Sequence, residues 1–148
     1  MPWGMAEEAG RAARALCVAA LPGLDALALR LSVGGPCPIR AGCRISDGGG
    51  MPGALDVAVP LLLLPFLVPH PVAACWQGGT LRSGPEGIAA EGALLAPRAQ
   101  LRLALGRAPD RVGCAERAHV GEGAWRRLCA LAARTRAPAS EASRRGAG

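Results

Sequence analysis

Lysine, asparagine and tyrosine are absent from this chain, phenylalanine occurs once (Phe66) and isoleucine three times. Without lysine there is no Walker-type phosphate loop, and Gly48-Gly49-Gly50 follows Asp47 with no Lys-Ser/Thr pair behind it. Without tyrosine, and with one phenylalanine and three tryptophans, the chain is poor in the side chains that bury the most area and in the rings on which bases stack. Asp (four) and Thr (two) are also scarce.

In place of these residues the chain has alanine (31), glycine (21), arginine (17) and proline (13), which make up 82 of 148 residues. All 17 basic residues are arginine. If Lys and Arg were drawn evenly, that outcome would have a chance on the order of 10⁻⁵. The genetic code accounts for it: Gly, Ala, Pro and most Arg codons begin with two G or C bases, and the missing residues have codons that begin with A or T. Six Cys and three Trp beside few Asp and Thr tilt the origin toward a G+C-rich reading frame, an orphan or alternative-frame product, rather than toward a G+C-rich bacterium.

The core supply looks thin. Leu, Ile, Val and Phe sum to 32 residues, about 22%, near the level below which charged chains stay disordered. Alanine dominates the remaining apolar residues and buries little area. Gly and Pro, 34 residues together, interrupt regular elements. The expected fold class is therefore mostly irregular or disordered, low in complexity, with a few short α-helices and no well-packed globular core.

Along the chain this gives five regions. Residues 1–33 read as Ala/Leu-rich short helices, over Ala6 to Ala20 and Leu24 to Val33, broken by Pro22-Gly23. Residues 34–56 read as an irregular Gly/Pro/Cys segment. Residues 57–76 are apolar and interrupted by Pro60, Pro65, Pro69 and Pro71; they would pass a hydropathy window as a membrane span, although a lone span has no neighbours to satisfy the carbonyls its prolines free. Residues 77–136 read as an Arg/Ala-rich region with short helices. One follows a capping-box spacing at Ser83 to Glu86, and another spans Glu122 to Arg134 with Trp125 as anchor. Leu101, Leu103 and Leu105 alternate with Arg102 and Ala104 as in a strand, yet the run also fits a helix. Residues 137–148 read as a disordered tail.

No motif resembles a known family, and no catalytic, cofactor-binding or metal residue stands out. GxSxG, HExxH and dinucleotide fingerprints are missing, so an enzyme is not expected. The pairs His70/Cys75 and Cys114/His119 are five apart and lack the tight knuckle of structural zinc. Cys17, Cys37, Cys43, Cys75, Cys114 and Cys129 contain no CxxC and read as incidental thiols. Ala26-Leu27-Ala28 has a small-x-small cleavage form, but Glu7 and Glu8 cancel the leading arginines, against a secretion signal.

Three functional expectations follow. The first is an orphan-type product of a G+C-rich frame with no biochemical activity. A second is a small membrane-associated protein using Val57 to Trp76. The third is an arginine-rich binder of nucleic acid or an acidic partner, with weak nonspecific anion binding expected in any case from a net charge of +6.

Overall fold

A computed structural model describes residues 3–68, 70–106 and 120–135. Its elements begin with α1 (Trp3–Val18), α2 (Gly23–Ser32) and α3 (Pro38–Ser46), then strand β1 (Ala54–Val57) and a 3-10 helix (Pro60–Leu67). Strands β2 (Val72–Trp76), β3 (Gly79–Gly84), β4 (Gly87–Gly92) and β5 (Ala99–Leu105) follow, and α4 (Glu122–Thr135) closes the order. The five strands form one antiparallel sheet in the order β1-β5-β2-β3-β4.

Alternation sets the sheet's two faces. Val72, Ala74, Leu81, Ser83, Leu101 and Leu103 are buried, while Cys75, Thr80, Arg82, Gln100, Arg102 and Ala104 between them are exposed. A period of two thus gives one core face and one open face. The ambiguous run around Leu101 is strand β5, because Val57 and Ala74 present apolar neighbours to one side of it and solvent lies on the other.

Residues 57–76, Pro69 apart, form no membrane-spanning helix. Their centre is the 3-10 helix, whose Leu61, Leu62, Leu63 and Leu64 are all fully buried. This helix touches β3 and β4 as well as α1, α2 and α3, so protein surrounds it on every side. A helix enclosed in this way must be apolar all round, which is why four leucines run consecutively. Among the described residues no helix is long and apolar enough to cross a membrane. The prolines suit the short geometry: Pro60 opens the helix, where its missing N–H is not needed.

The expectation of a mostly irregular or disordered, low-complexity chain with no packed core is likewise overturned. One cluster joins Ala9, Ala12 and Leu16 of α1, Ala26 of α2, Ile39 and Ile45 of α3, the 3-10 leucines and the inner face of the sheet. Alanine, discounted as a core former, supplies much of this cluster, and Gly23 lets α2 lie close to α1: a Cβ added there would lie 2.9 Å from Leu16 Cβ. Close approach recovers dispersion contacts that small side chains lose individually. Ser83, the one buried polar residue among those described, has its hydroxyl 3.1 Å from the carbonyl oxygens of both Leu67 and His70, tying β3 to the end of the 3-10 helix.

Three local readings are also corrected. The segment 34–56 contains α3, opened by Pro38 at its first turn. Ser83 to Glu86 is no helix cap but the turn of the β3–β4 hairpin, where Gly84 faces Gly87. Trp125 does not anchor α4; it is 57% exposed, and Ala124 is the buried residue there. The expected tail at 137–148 lies outside the described residues.

Candidate functional site

The fold brings three arginines to the lining of one cleft. Arg30 sits in the last turn of α2, and Arg40 and Arg44 lie four residues apart on α3, hence on one face of that helix. The Gly34-Gly35-Pro36 connection, with Gly35 at φ +107°, turns the chain between the two helices. All three arginines line a cleft of about 510 Å³, whose opposite wall is Leu55, Asp56 and Val57 of β1. A second hollow of about 360 Å³ shares Ala41, Arg44 and Leu55 with the first and extends toward Ile45, Met51 and Pro52. Together they form a groove between α3 and the edge strand of the sheet.

Each arginine is placed differently. Arg30 is half-buried and donates from Nη1 to the Val33 carbonyl at 2.8 Å and from Nη2 to the Gly35 carbonyl at 3.5 Å. Its Nε is buried with no acceptor. A buried N–H without a partner is costly, so this nitrogen subtracts from stability and is closed to an incoming group. Arg40 and Arg44 are exposed. Asp56, the one acid in the lining, is already engaged: Arg98 Nε donates to its Oδ1 at 3.0 Å and Nη2 to its Oδ2. That hydrogen bond, helped by the guanidinium charge, holds the Asp56 carboxyl below the usual carboxylate range. The pair is internally neutral, which leaves three positive charges facing the cleft.

A third hollow, about 530 Å³, opens beside the exposed sheet face and is lined by Cys75, Trp76, Gln77, Gln100 and Arg102 with Arg98. Trp76 Nε1 is buried there without an acceptor. Its basic charge is thinner, because Arg98 is bound to Asp56. The α3–β1 groove is therefore the stronger candidate.

The pairs weighed for zinc gain no support. Among the described residues no three His, Cys, Asp or Glu side chains gather as a metal requires. His70 and Cys75 are both exposed, and Cys114 and His119 lie outside the described residues. The residues that sequence reasoning missed are Arg30, Arg40, Arg44 and the Asp56/Arg98 pair. Arg40 and Arg44 carried a signal, the four-residue spacing, hidden by reading 34–56 as irregular. The joining of Arg98 to Asp56 across 42 positions carried none. Compared with protein-family models, curated proteins and solved structures, the chain matches none.

Proposed function

We propose that this domain is a non-enzymatic binding module that receives an acidic partner in the cleft lined by Arg30, Arg40 and Arg44. The observation that carries the reading is that three arginines line one cleft beside an acid already neutralised by Arg98. Guanidinium groups only donate and stay protonated at any physiological pH, so the lining favours holding an anion over exchanging protons with one. Hydrogen bonds from charged donors to a carboxylate or phosphate are roughly twice as strong as neutral ones.

The test separates a local site from the chain's overall charge. Arg40→Glu and Arg127→Glu, the latter on the exposed face of α4, change net charge equally. Binding of a fluorescent polyglutamate probe at low salt should weaken by more than about tenfold in the first variant and by less than about twofold in the second. Equal losses would reduce the effect to nonspecific attraction. No binding at all by the wild type would return the protein to the orphan-type reading, a product without biochemical activity.

A further inference from the structure

The groove has a second property besides charge. In β1, Gly53 accepts from Leu103 N–H and Val59 donates to the Pro97 carbonyl, so the odd-numbered residues turn their backbone groups toward β5. The even-numbered residues point the other way, as Ala58 shows by donating to the Pro36 carbonyl on the outer side at 3.0 Å. Ala54 and Asp56 therefore direct their N–H and C=O groups away from β5, at the edge of the sheet that Asp56 shares with the groove. No other described strand pairs with that edge, since β1 has β5 as its single neighbour. The result is a template for an added strand, four backbone groups with arginines along one flank.

From this we infer that the acidic partner is an extended peptide segment of another protein that adds antiparallel or parallel to the outer edge of β1. The inference rests on the binding reading above and gives it a geometry. Successive side chains of such a strand alternate between faces. In a strand with Glu at every second position, the Glu set would enter the groove, where Arg40 and Arg44 stand beside Ala41 and Leu55, and the intervening apolar set would lie on the opposite face. The opposite edge of the sheet does not offer this combination: β4 carries Glu91, ends at Gly92 in a left-handed conformation, and repels an acid. Nucleic acid fits less well, because the groove has no aromatic side chain for bases to stack on.

The experiment uses the full chain and the peptide acetyl-EVEVEVE-amide, followed by fluorescence anisotropy, beside an analogue N-methylated at alternate residues so that one edge of its backbone cannot donate. Ala54→Pro removes an outward N–H from the edge strand and leaves the Leu55 and Val57 bonds to β5 in place. The expected result is a loss of more than tenfold for the N-methylated peptide and for Ala54→Pro, with short inorganic polyphosphate still bound by Ala54→Pro. If Ala54→Pro does not fold, the N-methylated peptide alone decides. Equal affinity for both peptides, with binding abolished by Arg40→Glu, would overturn strand addition and leave the acidic-partner reading standing. Failure of every acidic probe would overturn both. Tighter binding of a DNA 20-mer than of either peptide would reassign the groove to nucleic acid.

Discussion

Two glycine-to-alanine substitutions should have opposite effects on stability, for reasons the packing makes explicit. Gly10 lies within α1, is exposed, and a Cβ built on it meets no atom within 4 Å. Gly42 lies within α3, but a Cβ there falls inside van der Waals contact of Phe66 Cγ and Cδ2 and 2.7 Å from Phe66 Cβ. Replacing Gly by Ala inside a helix gains about 0.8–1 kcal/mol at either position. At Gly42 that gain is opposed by overpacking, which costs roughly 1–3 kcal/mol. The Phe66 ring could swing aside, but its Cβ is fixed to the 3-10 backbone, and Ser46 Oγ ties α3 to the Phe66 carbonyl at 3.1 Å. Relief therefore needs a shift of one helix against another. Gly10→Ala should raise the midpoint of thermal unfolding by about 3 °C, and Gly42→Ala, with a net loss of up to about 2 kcal/mol, should lower it by up to about 6 °C, given about 2–4 °C per kcal/mol for a chain of this size. Circular dichroism melts, with urea titration to check that the slope m is unchanged, supply the measurement. If both variants gained stability, α3 would not be packed on the 3-10 helix and the core described above would be wrong.

Two further outcomes follow from the ionisable groups. Because Arg98 depresses the Asp56 carboxyl, the stability this pair adds is fully present above the unfolded-state value and is lost as pH falls through the folded one; a carbon-13 carboxyl titration should therefore find Asp56 below the ordinary range in the wild type and back within it in Arg98→Ala, and an unchanged midpoint would refute the pairing. Thiol labelling should be ordered by exposure: Cys75 and Cys129 react in native buffer, and buried Cys17 waits for denaturant. Cys43 should also lag, its thiol pushed up by burial, with Glu8 and Asp47 adding to the effect; peptide mass spectrometry that finds Cys17 labelled as fast as Cys75 would contradict the packing of α1.

The helices at both ends were legible because their signals are local. Glu7 and Glu8 one turn ahead of Arg11 in α1, and Pro22-Gly23 between α1 and α2, act within a few residues, whereas in α4 the helix is found although its expected anchor Trp125 is exposed. Composition misled where packing is collective. An alanine contributes little buried area, yet Ala9, Ala12, Ala19 and Ala26 are nearly inaccessible in one cluster, because small side chains let backbones supply the contact. The leucine run misled for a related reason: a segment enclosed by other elements and a segment enclosed by lipid meet equally apolar surroundings, so hydropathy alone does not distinguish them. What distinguishes them is length, and a 3-10 helix of eight residues is far short of the about 20 a span requires.

Gly42 connects the missed helix to the missed site. In the sequence it belongs to the segment 34–56 read as irregular, which leaves α3 out. In the fold it is a notch that admits Phe66, and with it present Ile39 and Ile45 reach the core, which turns Arg40 and Arg44 outward over the edge of β1. A codon bias explains why these positions hold arginine rather than lysine. It says nothing about where the chain carries them, because position depends on which neighbours a glycine lets approach. Three arginines scattered over fifteen residues of sequence therefore look like base composition until α2 and α3 bring them to one wall, where the only acid is already spoken for. Origin and function are answers to different questions, and the groove's charge is a property of the fold whichever codons wrote it.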